Sequence, residues 1–268
     1  MSDKSISVLA LALLTLWICM VAGTSNAIAA DPDVAGVWLF DEDMDDEAKD
    51  SSGNGNDGMI NGGVTWTKDG KFGGALEFDG IDGWVEVPDN DEAEFPAGVD
   101  FTIACWLKVT TPEAEPPMII AKHYFTTSQI LPWYGLYYQP AGTMDLYLRD
   151  VSSTNYHISG TSHIDDGEWH HFAATRESGT IKLYVDGAEE ASMEGADVDV
   201  GTNDGALHFM SHYNRFMGGV LDEVFILKRA LSDDEIEDLM NNGVAVVLAV
   251  SPAGKLPAKW AEIKEALR

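Results

Sequence analysis

Cysteine is nearly absent from this chain, with two in 268 residues. Cys19 lies inside an apolar N-terminal run, so removal of that run leaves Cys105 alone. No internal disulfide could then form, and stability has to come from a core of domain size. Cys105 alternates with Phe101, Ile103, Leu107 and Val109, which makes it an inert thiol on the apolar face of a strand. Positive charge is scarce as well: 16 Lys and Arg stand against 45 Asp and Glu, a net charge of -29. Such a surface repels phosphate backbones and anionic lipid, which argues against nucleic-acid or electrostatic membrane binding, and it attracts cations. Long helical periods, internal repeats and low-complexity linkers are lacking. So are a G-x-S-x-G nucleophile motif and a glycine-rich phosphate loop, and with them the signatures of serine hydrolases and nucleotide-binding proteins.

What is present begins with Lys4 followed by an apolar run through Ile18 and small residues at Ala27, Ala29 and Ala30, the pattern of a secretory signal over residues 1–30. The rival reading is an uncleaved anchor, since Ile6 to Gly23 just reaches spanning length. A signal places the mature chain outside the cell, at its surface or in a periplasm. The bulky residues before Cys19 argue against lipoprotein processing.

From Val34 the chain reads as short strands separated by turn residues. The clearest stretch is Gly167–Gly187, where Ile181, Leu183 and Val185 alternate with Lys182, Tyr184 and Asp186, and Ser178-Gly179 supplies a hairpin turn. Further strands are expected at 36–40, 75–78, 84–87, 101–109, 118–122, 134–139, 143–149, 155–159, 206–210 and 219–227. The pattern predicts an all-β fold, a two-sheet antiparallel β-sandwich or jelly roll. One short helix should follow: Ser232 and Glu235 form a capping box, and Ile236, Leu239 and Met240 form an apolar stripe before Gly243. Residues 31–243 are thus expected as one domain. Residues 244–268 form a C-terminal tail, an apolar run followed by a terminal helix from Pro257.

The segments VAGVWLFDED, KDSSGNGNDG, FGGALEFDGIDGWVEVPD, FTIACWLKV, GEWHHFAATRESGTIKLYVDG and GGVLDEVFILKRALSDDEIEDL occur in that order over residues 34–242. In them the chain resembles laminin-G-like, concanavalin A-like lectin/glucanase jelly-roll domains of the bacterial secreted type. The resemblance implies two curved antiparallel sheets and a role in binding or adhesion more often than in catalysis.

Asp50 to Gly58 packs oxygen ligands and glycines into a tight loop, but Asn61 stands where an EF-hand needs a bidentate Glu and flanking helices are lacking. On chemistry alone it reads as a turn with left-handed Asn and Gly residues. The resemblance implies a calcium ion between the N-terminal segment and the last strand, for which Asp41, Asp50 and Asp222 are the candidates. Asp222 and Glu223 are neighbours on a strand and should face opposite ways, so they cannot flank one glycosidic bond. The E-x-D-x-E pattern of glucanases on this fold does not occur between Phe101 and Leu227, and a hydrolase would need carboxylates from separate strands. His170 and His171 should likewise diverge, and His208 and His212 lack a helix to align them, so neither pair forms a chelate for zinc.

Aromatic and polar residues between Tyr124 and Arg215 provide ring faces for sugars and groups for hydroxyls. Trp133 to Tyr138 can present only alternate side chains to one site. The expected ligand-binding residues are therefore those of the loops: Tyr124, His212, Tyr213, Asn214 and Arg215. Together these features predict an exported, non-enzymatic module that binds carbohydrate or an extracellular partner, with calcium as its possible structural ion. The alternatives are a structural or adhesive envelope protein that assembles through 244–268, and a glycoside hydrolase on the same sandwich.

Overall fold

A computed structural model describes residues 32–43, 46–111, 117–123 and 132–244. The expected signal, most of the C-terminal tail and Tyr124 lie outside the described residues. Among the described residues eighteen strands run in order: β1 (Val34–Trp38), β2 (Glu47–Ala48), β3 (Gly58–Asn61), β4 (Val64–Thr67), β5 (Ala75–Asp79), β6 (Trp84–Val87), β7 (Phe101–Thr111), β8 (Met118–Lys122) and β9 (Trp133–Gln139). They continue as β10 (Thr143–Arg149), β11 (Asn155–Ser159), β12 (Trp169–Glu177), β13 (Thr180–Val185), β14 (Ala188–Met193), β15 (Leu207–Phe209), β16 (Ser211–His212), β17 (Arg215–Phe216) and β18 (Gly218–Leu227).

Sixteen of these strands form two antiparallel sheets, and β16 and β17 pair as a separate hairpin. The first has the order β14-β13-β12-β7-β18-β5-β4, with β1 also paired to β18; the second has the order β11-β10-β9-β8-β15-β6-β3-β2. Between them lies the main core, to which Phe101, Ile103, Cys105 and Leu107 of β7 contribute one face and Tyr134, Leu136 and Tyr138 of β9 the other. The expected sandwich is thus what the chain forms, and Cys105 is buried in it. Burial pushes the Cys105 thiol far above its usual range, so it has little thiolate for chemistry.

The turns follow from backbone chemistry. Ser178-Gly179 and Asp186-Gly187 have φ of 49°, 81°, 50° and 80°, left-handed pairs whose twist suits two-residue hairpins. The helix α1 (Asp233–Asn242) starts at the predicted capping box, with Ser232 Oγ accepting from the Glu235 N–H and the Glu235 carboxylate accepting from the Ser232 N–H. Ile236 and Leu239 pack onto the outer face of the first sheet with Ala104, Ala173 and Phe225, forming a second, smaller core. Val244, assigned to the tail from sequence, is buried in this layer and donates its N–H to Glu223 Oε2 at 2.7 Å.

Candidate functional site

The outer face of the second sheet gathers most of the chemistry. Alternation along β9 sends Tyr134, Leu136 and Tyr138 into the core and Trp133, Gly135 and Tyr137 outward. Residues directly opposite one another share a face, and register therefore carries an outward row across six strands: Glu86, His208, Ala121, Gly135, Tyr147 and His157. Gly135 is needed there, because a Cβ would meet Met118 Sδ at 2.8 Å and the Ile120 carbonyl oxygen at 2.9 Å. The ring of Tyr147, its register partner on β10, stacks on Trp133, with centroids 4.8 Å apart and planes 10° from parallel.

Trp133, Tyr137 and Tyr147 are half-buried and His157 is exposed, so these rings form a shelf that solvent reaches. Asp145 gives the shelf a polar edge: its Oδ2 accepts from Gln139 Nε2 at 2.7 Å and meets His157 Nε2 at 2.6 Å. Flat apolar rings bordered by fixed donors and acceptors can stack on a pyranose or furanose ring while bonding its hydroxyls.

The hairpin β16–β17 crosses this face. His212, Tyr213, Asn214 and Arg215 are its turn, with Tyr213 and Asn214 at φ 50° and 58°. Tyr213 is exposed and holds His123 Nε2 through its hydroxyl at 2.8 Å, whereas His212 is buried and meets the Tyr137 hydroxyl through Nδ1 at 3.2 Å. His212 is therefore a support beneath the surface, in contrast to the loop contact expected from sequence. Burial lowers the pKa of His123 and His208 to about 4 and of His212 to about 3, with the Arg149 charge adding to the effect at His123, His123 adding to it at His208, and His123, Arg215 and His208 adding to it at His212, so all three are neutral at pH 7. The linear spacing of His208 and His212 did not show that His123 would join them. Among the described residues no group of three or more His, Cys, Asp or Glu side chains is arranged to hold a metal ion.

On the far side of the hairpin lies a cleft of about 380 Å³, walled by Trp84, Phe216, Glu86, Asp204, His208 and Asn214. Of the five residues expected to bind ligand, Asn214 reaches this cleft and Tyr213 the surface beside it. Trp133, Tyr137 and His157 were visible as middle-strand aromatics. Tyr147, Asp145, Trp84 and Glu86 carried no local signal and are joined to them only by strand register.

The calcium candidates separate into two settings. Asp50 Oδ1 accepts from the Val37 and Ser52 N–H groups and its Oδ2 from that of Asn56, so its carboxylate organises the glycine loop, where Gly53 and Gly55 are left-handed. Asp41 and Asp222 both grip the 72–74 segment, with Asp41 Oδ1 accepting from Gly74 N–H and Asp222 Oδ2 from Phe72 N–H. Asp222 is fully buried, and its Oδ1 has no hydrogen-bond partner. Burial, with the nearby Glu223 charge, raises Asp222 to about 7.

Glu223 corrects a sequence expectation. Its φ is 51° and the register shifts between Asp222 and Phe225, so simple alternation fails there. Glu223 Oε2 reaches Val244 N–H on the outer side, and a Cβ at Gly243 would lie 3.1 Å from that oxygen and 3.7 Å from Phe72. The two carboxylates thus share a side, closed in by backbone rather than open to a substrate. His170 and His171 diverge as expected: His171 packs against Trp106 and is buried, while His170 bonds Asp166 and Asp186.

A family model described as the concanavalin A-like lectin/glucanases superfamily matches residues 79–237. No curated protein matches the sequence. Among solved structures, domain 4 of an extracellular arabinanase from Geobacillus stearothermophilus, in complex with arabinotriose, is similar at TM-score 0.63 and 21% identity over 78% of this chain and 98% of that one. The binding domain of Paraclostridial Mosquitocidal Protein 1 is similar at TM-score 0.62 and 19% identity, over 78% of this chain and 52% of its own. The receptor-binding domain of botulinum neurotoxin D gives TM-score 0.60 and 14% identity, over 78% and 52%. This chain therefore spans about half the length of the two toxin domains. At these identities the likeness is one of fold; the arabinanase domain was solved with arabinotriose, and the other two are named as binding domains.

Proposed function

The chain belongs to the concanavalin A-like lectin/glucanases superfamily, and from that premise we propose that it is an exported, non-enzymatic module that binds carbohydrate on the outer face of its second sheet. The observation that carries this reading is the solvent-reached Trp133–Tyr147 stack with Asp145, Gln139 and His157 along its edge. The similarity to an arabinanase domain solved with arabinotriose makes arabinan oligosaccharides the first probe.

Calorimetric titration with arabinan, xylan, glucan and mannan oligosaccharides tests the proposal. One class should bind without turnover, and Trp133→Ala or Tyr147→Ala should weaken it about ten-fold or more, the loss of roughly 1.4 kcal/mol expected for a ring contact. Product release would instead support a hydrolase. Concentration-dependent self-association without glycan binding would support a structural envelope protein.

Calcium remains within the proposal in a narrowed form. Asp222, whose Oδ1 is buried without a hydrogen-bond partner, and Asp41, which binds the same 72–74 segment, are the residues that would hold it, whereas the Asp50 carboxylate accepts from three N–H donors. The ion would supply structural charge compensation only.

A further inference from the structure

The cleft beyond the hairpin has a chemistry distinct from the shelf. Its walls include two half-buried rings, Trp84 and Phe216, and two carboxylates, Glu86 and the exposed Asp204. Two histidines, His123 and His208, also line it, and both are neutral at pH 7 because they are buried. Glu86 meets His208 Nε2 at 3.9 Å and, among the described residues, no other basic group within ion-pair distance. Its negative charge therefore faces the cleft without a counter-charge. Beside it, Trp84 meets the His208 ring edge to face at 4.8 Å, which holds the indole upright in the wall.

A neutral sugar would gain from the rings but would leave these carboxylates unpaired. An inorganic cation would pair with the carboxylates but gain little from Phe216. An organic ammonium gains from both: its charge is attracted by the π-face of an indole and paired by a carboxylate, and its alkyl or ring carbons cover apolar surface. The volume of about 380 Å³ lies in the range of small-molecule sites. We propose that this cleft is a binding site for a primary ammonium group, as carried by an amino sugar, with Glu86 as its main counter-ion, Asp204 as a second and Trp84 as the cation-facing ring.

A protein of net charge -29 attracts any polycation, so the test has to separate the cleft from the bulk field. Glu86→Gln and Glu237→Gln each remove one negative charge, but Glu237 is exposed on α1, which packs on the other sheet. Calorimetric titrations would use a glucosamine trisaccharide, its N-acetylated counterpart and trilysine. The glucosamine trisaccharide should bind at least ten-fold more tightly than the acetylated form. Glu86→Gln should cost about ten-fold of that affinity and Asp204→Asn a smaller factor, while Glu237→Gln should change it less than two-fold.

Trilysine binding with the same dependence on Glu86 would assign the site to amines in general, whereas its failure would restrict the source to amino sugars. Equal binding of the free and acetylated trisaccharides, or equal losses in Glu86→Gln and Glu237→Gln, would overturn the inference. The shelf reading stands or falls separately: Trp133→Ala should weaken neutral-glycan binding about ten-fold or more and leave the Glu86-dependent amine binding in place.

Discussion

Single residues in this protein act largely through where the register puts them. Gly135 shows this best, since the crowded site on β9 that only glycine fits is paired with Tyr147 on β10, whose ring lies flat against Trp133. That juxtaposition could not be read along the chain, because Gly135 and Tyr147 are brought together by a ladder rather than by a motif. The aromatic content and its alternation were legible, and Trp133 and Tyr137 do face outward as alternation requires. The burial of His212 was not legible, because a four-residue turn signal says nothing about which of its side chains folds under. His170 makes a residue-scale prediction. Partial burial opposes its charged form, but hydrogen bonds to Asp186 and Asp166 outweigh this and hold its pKa above 6.5. The stability it contributes should be complete below pH 6.5 and be lost as the pH rises through the folded-state value. Thermal melts of wild type and His170→Gln should thus differ by about 0.5–1 kcal/mol at pH 5.5 and converge by pH 9; a constant difference would refute the assignment.

Most elements with a clean period of two were visible from sequence; β4, Val64–Thr67, alternates as well, but its four residues were too few to mark it. Glu47–Ala48 is too short to show any period, and Ala188–Met193 is a largely exposed edge strand whose side chains give no apolar alternation. Two irregular segments, 95–99 and 196–198, lack a regular ladder and are held by the Phe95–Val200 bridge, the Gly98 N–H to Asp197 bond and, most extensively, the Arg176 side chain. The buried Arg176 donates to the carbonyls of Phe95, Pro96, Val99 and Val198 and lies over the Phe101 ring. A lysine retains the charge but cannot fork to four oxygens. Arg176→Lys should therefore cost about 3 kcal/mol or more, read from the urea midpoint, because several carbonyls lose their donor in a dry setting. A loss below about 1 kcal/mol would show that the two segments hold their own conformation.

At the scale of the whole molecule, β1, first of the described strands, is closed against β18, the last, and the proposed calcium lies where the two ends of the sandwich meet. A ligand that binds only the folded state raises stability by mass action. Excess chelator should lower the melting temperature by several degrees and added calcium restore it, with the response lost in Asp222→Asn. A melt that does not respond to chelator would rule the ion out.

The pairing of β1 with β18 also determines how the sandwich would respond to mechanical load. Val34 lies opposite Leu227, and the Lys228 N–H donates to the Asp33 carbonyl at 2.6 Å, so the start of β1 and the end of β18 lie side by side. Tension applied through them pulls along the inter-strand hydrogen bonds and not across them. The bonds then break in succession from Asp33 inward, as in a zipper. A tether attached at these ends would yield at low force by peeling β1 away, while the shelf and the cleft, carried on the other sheet, keep their shape.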